Sequence, residues 1–562
     1  MARGRPSRVQ TGWGEGRVER THRPANPAPP GPPSVSAVTE IPTLQCGGPV
    51  FKRPLRAREG AEDEAAVAAA GPSPKANQGR GRGRDRERRG PEPARRQETA
   101  PQSESHVDKN ESLGAGTDPY LDVEGEEAVF SFDDMTSGPT GGDSLQNTEQ
   151  DRLSGEADAC LQRLLELTNN VPLPQPDGKK GAAAPPVILW FRQDLRLHDN
   201  PALVAAAQSG RPVIPVYLHV PVEDGKWPVC GAAQYWLHHA LLHLSQELES
   251  KLGSKLLICS GESSLDLLLM LIMDSGATTV LFNRVYEPWK VCRDALIAQV
   301  LSENGVSVHS TKGVVLFEPI EVRPDTDQRI QYGFGSVGFF LNACDGHEIQ
   351  EPLPAPLRLR TPARWPQAQS LSDLRLDAQP RRKNGTTIDW AKGIRENWGF
   401  REEDALAALE EFVHNGCFHF EGRQRFRADR KYTAVISPYM RFGQLSPRTV
   451  FHAVVQRHRD KARTFLRRLA WRDLAYWMLW KLPCMADEPI RPQYAFQWWD
   501  SDAAALRAWQ RGFTGYPLVD AAMRQLWVTG WMPNYMRHVV AGTSPQSYFL
   551  YILKPCSTVI SL

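Results

Sequence analysis

Five short β-rich runs separated by four helical stretches, all between residues 186 and 310, constrain this chain more than any other feature. The runs are PVILWF (186–191), PVIPVYLHV (212–220), KLLICS (255–260), TVLFNR (279–284) and VSVHS (306–310). The helical stretches fall at 201–208, 231–252, 264–275 and 289–304. The strands are apolar without alternation, which predicts burial on both faces. Their alternation with helices predicts a parallel sheet with helical cover on each side. Asn200 and Pro201 supply an N-cap and a first helical residue for 201–208.

The flanks read differently. Residues 1–155 are rich in Pro, Gly, Ala, Arg and Ser, carry no sustained apolar period, and are expected to be a disordered low-complexity extension. A short helix over 158–170 (DACLQRLLELTNN) and a Pro-rich joint make up 156–185. The α/β block spans 186–318, and residues 319–395 form a proline-rich inter-domain linker. From 396 to 541 the pattern is helical. Ser446-Pro447 caps a helix with apolar Val450, Val454 and Val455. Val519, Ala522, Met523, Leu526 and Trp527 follow the spacing of an amphipathic helix that Gly530 ends, with Pro533 at the start of the next. Residues 542–562 are a divergent tail.

Charge and cysteine usage bound the setting. Net charge is only +2, but GRGRGRDRERRG (79–90) and PARRQ (93–97) are basic while YLDVEGEEAVFSFDD (120–134) is acidic. Most such runs are solvated tails; the alternatives are a nuclear-import patch over 84–97 and an organellar transit peptide in the Arg-rich first 30 residues. No apolar h-region opens the chain, so secretion is not expected. No run reaches the roughly 18–20 apolar residues of a membrane span. Nine cysteines without a CxxC indicate neither a disulfide framework nor a zinc cluster. An intracellular site is expected, in nucleus, chloroplast or cytoplasm, with neither metal nor membrane as partner.

In the helical half, LAWRDLAYWMLWK (469–481) sets Arg472 and Asp473 in a run that is otherwise apolar on every side, where buried charges need partners. Trp471, Trp477, Trp480, Trp498, Trp499, Trp509, Trp527 and Trp531 crowd nearby. An aromatic core is one reading. A pocket for a flat, polar, aromatic ligand is the other, with Arg472, Asn534 and Arg537 as fixed hydrogen-bonding groups. In YTAVISPYMRFGQLSPR (432–448), Thr433 and Ser437 offer hydroxyls, and the turn before Pro438 exposes backbone N–H groups to an anion. An ordinary helix cap would look the same.

Together, WFRQDLRLHDNPAL (190–203), TAVISPYMRFGQLSPR (433–448), LAWRDL (469–474) and AWQRGFTGYPLVDAAMRQLWVTGWMPNYMRHVVA (508–541) resemble the DNA photolyase/cryptochrome family. The resemblance implies a Rossmann-like α/β antenna domain followed by an all-α domain that holds FAD. It also implies blue-light excitation, with tryptophans delivering an electron to the flavin. Carried over by position, Thr433, Ala434, Val435, Ile436 and Ser437 correspond to the FAD-phosphate loop. Phe465 lines the flavin, and Asn534 and Arg537 lie beside its ring. Arg472 faces the cofactor cavity with Asp473 in its local network, and Trp471, Arg472 and Arg468 mark the DNA or substrate side. Trp499 is the surface-proximal member of the electron chain.

The likeness has departures. Phe420 stands where the family keeps a tyrosine before the phosphate loop. Arg468 replaces the acid that cyclobutane-dimer photolyases use against the dimer, and a cation cannot accept base hydrogen bonds. Trp289-Lys290 replaces the Asn-Glu pair of the antenna site, which counts against folate; a folate- or deazaflavin-type antenna stays open. His538 falls where some photolyases keep a proton-shuttling histidine, without the neighbouring histidine of that motif; a structural or exposed His is the alternative. After Ala541 the family's remaining text, with its flavin-facing aspartates and inner tryptophans, is missing, as in an alternative splice product or faulty gene model. Arg537 then lacks its expected aspartate. The expected function is a cryptochrome-type photoreceptor with a signalling protein partner. The alternatives are a DNA photolyase and a relative that binds no flavin. Arg463, Arg467 and Arg468 are one candidate phosphate-contacting face; Arg423, Arg425, Arg427, Arg430 and Lys431 are another, for which a solvated loop is the blander account.

Overall fold

The computed structural model describes residues 144–169, 184–322, 334, 337–422, 432–490, 492–496 and 502–543. The expectations for residues 1–143, for most of the proline-rich joint and for the tail beyond 543 lie outside the described residues. So do Trp498, Trp499 and the basic stripe 423–431.

The first described element is helix α1 (Ser144–Asn169). It corrects two boundaries, because the helix expected at 158 starts fourteen residues earlier and so takes residues 144–155 out of the expected disordered stretch. The reason is a stripe of buried positions, Leu153, Ala157, Leu161, Leu164 and Thr168, at helical spacing. Local sequence hides it, because Ser154, Gly155 and several charges interrupt the run.

The α/β block follows the expected order within one or two residues. Its elements are β1 (Val187–Phe191), α2 (Pro201–Gln208), β2 (Val213–His219), α3 (Gly231–Leu252) and β3 (Leu257–Ser260), then α4 (Ser264–Ser275), β4 (Thr279–Asn283), α5 (Pro288–Glu303) and β5 (Ser307–Thr311). The five strands are all parallel, in the order β3-β2-β1-β4-β5. Asn200 caps α2 by accepting from the Leu203 N–H, and Ser263 caps α4 through Asp266. β1 and β4 are buried at every position. Along β1 the side chains alternate between two cores. Ile188 and Trp190 point into one with α1, α4 and α5, while Val187, Leu189 and Phe191 point into a larger one. That larger core is shared with the helical half.

The helical half comprises α6 (Val337–Ala343), α7 (Lys392–Asn397), α8 (Glu402–Glu411), a π-turn at Phe412–Gly416, α9 (Cys417–Glu421), α10 (Ser437–Phe442), α11 (Pro447–His458) and α12 (Arg463–Lys481). Three further helices, α13 (Ala503–Arg511), α14 (Pro517–Thr529) and α15 (Asn534–Gly542), close the described chain. They build a small core of their own from Trp509, Val519, Ala522, Met523, Met532, Met536 and Val540. It docks on α7 through Trp398, whose indole N–H donates to the Thr529 carbonyl (2.8 Å). Trp527, expected inward, is 81% exposed, because the buried stripe of α14 is only as wide as Val519, Ala522 and Met523.

The loop after β1 bolts the two halves together. Arg196 is fully buried; its guanidinium donates to the carbonyls of Asp199 (3.1 and 2.8 Å), Gly313 (2.8 Å) and Gly443 (2.9 Å). Asp199 in turn receives Arg448 at 2.5 and 3.2 Å and the Ser446 hydroxyl. Glu402, the first residue of α8, accepts the N–H groups of Leu197 (2.7 Å) and His198 (2.8 Å). Burial pushes its carboxyl up to about 7 against the pull of those two donors. Glu402→Ala orphans both N–H groups and should cost about 2–3 kcal/mol in a urea melt; a loss below half a kcal/mol would show that the loop finds other acceptors. Much of the WFRQDLRLHDN and FGQLSPR signature is thus a structural joint. Among the described residues no helix is long and apolar enough to cross a membrane, and no cluster of His, Cys, Asp or Glu suits a metal ion.

Candidate functional site

The phosphate-loop candidate runs from buried Tyr432 through half-buried Thr433, Ala434 and Val435 to buried Ile436 and half-buried Ser437, which opens α10. Ile436, Phe465 and the partly buried Phe420, Ala434, Val435 and Trp471 all belong to, or pack against, one hydrophobic core. Phe420 lies edge-on to Phe465 (5.8 Å between centroids), and Phe412 contacts both rings (6.0 and 4.6 Å). Glu421 fixes this corner. Its two oxygens accept the N–H groups of Thr464 and Phe465 at the start of α12, at 3.1 and 2.8 Å. Six of the sequence-derived positions therefore belong to or border the core that both halves share.

On α12, Arg468, Trp471 and Arg472 sit at i, i+3 and i+4 and share a face. All three are half-buried. The Trp471 indole Nε1 and the Arg472 Nε are buried with no hydrogen-bond partner among the described residues. No ion-pair partner for Arg468 occurs among the described residues. Buried donors without acceptors are costly and rare, so they mark where a ligand with acceptor atoms would be stabilised.

Arg472, expected to face the cofactor cavity, donates through Nη1 to the Val314 carbonyl (2.7 Å), and its guanidinium stacks on Tyr476 (5.1 Å). Asp473 likewise belongs to the inter-domain joint, accepting the N–H groups of Leu316 (2.7 Å) and Phe317 (2.9 Å). Both charges address the segment after β5, and this answers the need for partners in the apolar run. Burial pushes Asp473 up to about 6, with Arg472 and the two N–H groups pulling the other way.

The tryptophan crowd also disperses. Trp477 donates to the Val322 carbonyl (3.1 Å), Trp480 to Asp158 of α1 (2.7 Å), and Trp509 to the Val540 carbonyl (3.0 Å). These three indoles are structural. Composition alone cannot separate an indole with a backbone acceptor from one without.

Asn534, Arg537 and His538 fall on α15, whose apolar side packs into the separate small core rather than beneath α12. Asn534 and His538 are exposed. Arg537 donates to the Met532 carbonyl (3.2 Å), and burial lowers its guanidinium to about 10. Sequence reasoning missed Arg196, Asp199, Glu402 and Arg448; the first two lie in the 190–203 motif and Arg448 ends the 433–448 motif, whereas Glu402 falls in neither.

At the carboxyl ends of β1 and β4, where a sheet of this order binds ligands, the space is taken by the protein itself. Arg192 stacks between Trp190 (4.7 Å) and Phe282 (4.5 Å) and pairs with Asp294. Lys290 pairs with Asp224 at 2.8 Å. This filling counts against an antenna chromophore in that crevice.

A flavin dinucleotide requires donors for its phosphates and ring atoms together with apolar walls. The unpartnered donors of Trp471 and Arg472, the cation of Arg468 and the Phe420–Phe465 wall fit such a group at the α12 end. Asn534, exposed on α15, supplies no such wall.

Comparison with known proteins gives the same assignment. Residues 187–356 match the DNA photolyase family, and residues 465–548 match the FAD binding domain of DNA photolyase. The deoxyribodipyrimidine photo-lyase of Agrobacterium fabrum is 37% identical over 365 residues, covering 64% of this chain and 72% of that protein. Cryptochrome-2 of Arabidopsis thaliana is 33% identical over 372 residues, and the chain spans 58% of its length and matches with 63% of its own. The crystal structure of a class III photolyase from Agrobacterium tumefaciens superposes with a TM-score of 0.60 at 33% identity, covering 69% of this chain and 77% of that one. With its parallel sheet, its shared core and its α12 face, the chain belongs to the DNA photolyase/cryptochrome family.

Proposed function

We propose that this chain is an FAD-binding, blue-light-responsive protein of cryptochrome type, whose output is a conformational signal to a protein partner. When bound, FAD supplies absorption of blue light and an acceptor for one electron. The chain's own residues hold it. The Trp471 N–H donates to an acceptor on the group, Arg468 favours its negative charge, and the Phe412–Phe420–Phe465 wall excludes water from one side. Thr433 to Ser437 are the proposed phosphate contacts, and Asn534, Arg537 and Trp499 keep the roles that the family resemblance implies for them.

The observation that carries the signalling reading is Arg468. A guanidinium has donors only, so at this position it cannot accept hydrogen bonds from the edges of a damaged base. A repair reading is favoured by the Agrobacterium photo-lyase, at 37% identity, and by the same cations, which suit DNA phosphates. A dark absorption spectrum of the purified chain, with denaturation to release the pigment, tests flavin binding. The expected result is stoichiometric FAD and no light-dependent repair of an oligonucleotide carrying a pyrimidine dimer. Repair would establish the photolyase reading, and a colourless protein that refuses added FAD would sink both. Trp471→Phe keeps the ring and removes the donor; it should weaken FAD retention about tenfold.

A further inference from the structure

Cys160 of α1 and Cys292 of α5 are free thiols on two helices packed against each other. The Cys292 sulfur also lies 4.0 Å from the Glu156 carbonyl, one helical turn before Cys160. Both are only half-buried, so a small oxidant reaches them without unfolding. Their helices are packed neighbours, and the contact to the Glu156 carbonyl sets the Cys292 sulfur against the helical turn of α1 that carries Cys160.

The location gives the pair consequence. α1 lies ahead of residue 187, where the family match begins. It packs on α5 and β5 and also reaches the helical half. Asp158 receives the Trp480 indole N–H at 2.7 Å and the Lys481 ammonium at 2.6 Å. Whatever fixes α1 to α5 therefore strengthens a clasp across both halves.

We propose that Cys160 and Cys292 are a redox modification site, forming a reversible disulfide that staples α1 to the α/β domain when the protein meets a peroxide. The Cys160 thiolate attacks one peroxide oxygen; the O–O bond breaks, and Cys160 becomes a sulfenic acid as hydroxide leaves and takes a proton to become water. The Cys292 sulfur then attacks the Cys160 sulfur. The S–S bond forms, the S–O bond breaks, and a second water departs with the Cys292 proton. Two thiols and hydrogen peroxide thus give one disulfide and two waters.

The order of attack follows from the surroundings. The hydrogen bond from Cys292 favours the thiolate of Cys160 and lowers it, ahead of the opposing effects of burial and Glu156. Cys292 is raised by that same bond, then by burial and by the charges of Cys160, Glu156 and Asp294. Buried Cys344 and Cys417 are poor competitors; burial pushes the Cys417 thiol up to about 12.

The test uses the full chain, reduced and then treated with hydrogen peroxide, with remaining thiols blocked by iodoacetamide before non-reducing tryptic mass spectrometry. The expected product is LSGEADACLQR (153–163) joined to VCR (291–293), reversed by dithiothreitol. Closing so long a loop should raise the melting temperature of the oxidised protein by about 5 °C. Cys160→Ser and Cys292→Ser should each abolish the linked peptide and the shift. Recovery of both peptides singly alkylated after peroxide, or of Cys160 joined to Cys46, Cys556 or another cysteine, would overturn the assignment. The wild-type peptide map decides alone if either variant fails to fold.

Discussion

Gly443→Ala should cost the fold at least about 4 kcal/mol and separate its two halves before either melts alone. Gly443 ends α10 at φ +74°. A Cβ there would sit 2.0 Å from the Gln193 carbonyl oxygen and 2.5 Å from the Asp194 Cα. Those are backbone atoms of the loop after β1, so nothing can rotate away. Relief requires the loop to withdraw, which breaks the Leu195 N–H bond to the Phe442 carbonyl (3.2 Å) and the Arg196 bond to the Gly443 carbonyl. Gly385→Ala is the control. Its φ is +81° but no atom lies within 4 Å of the added Cβ, so it should cost only the left-handed strain of about 1 kcal/mol. Urea melts of the two variants separate strain from overlap. Equal losses would mean that the approach of α10 to the loop is looser than described.

Asp473→Ala should cost about 3–5 kcal/mol, since it leaves the Leu316 and Phe317 N–H groups and the Arg472 cation without their buried acceptor. Asp473→Asn keeps an acceptor oxygen and isolates the titration. The folded-state value of Asp473 is about 6, above the ordinary 3.8, so the folded protein holds the proton more tightly than the unfolded chain. Its contribution to stability is full below pH 3.8 and is lost as pH climbs through 6, a change of about 3 kcal/mol. Melting temperatures from pH 4 to pH 7.5 should therefore fall more steeply for wild type than for Asp473→Asn. Glu402, displaced in the same direction, contributes equally to both proteins and cancels in the comparison. Parallel curves would mean that Asp473 titrates normally and that water reaches it.

The α/β block was legible residue by residue because its signals are local. Apolar strands and the Asn200 cap act within a turn or two of chain, as do the Ser263 cap and the left-handed glycines Gly253 and Gly276 that the structure adds after α3 and α4. The phosphate-loop candidates Ala434, Val435 and Ile436 and the flavin candidate Phe465 belong to or border the core that both halves share. Neither the early start of α1 nor the partners of Arg472 could be read from the chain. A stripe as sparse as Leu153, Ala157, Leu161 and Leu164 is stable as helix only against α5, β5 and Trp480.

Arg472 and Asp473 show where that limit lies. Their neighbours in sequence predict that they must be paired, because an isolated charge in an apolar helix is too costly. Which groups pair with them depends on backbone atoms at residues 314, 316 and 317, brought alongside only when the sheet and α12 dock. Likewise, an indole with an open N–H differs from one without by a single distant carbonyl, as Trp471 does from Trp477. Periodicity, caps and motif spacing in the sequence determined the elements and the family, since those forces act over a few residues. The tertiary structure decided which buried polar groups are satisfied and which are left to meet a ligand, because hydrogen bonds are short-ranged and their partners lie far apart in the chain.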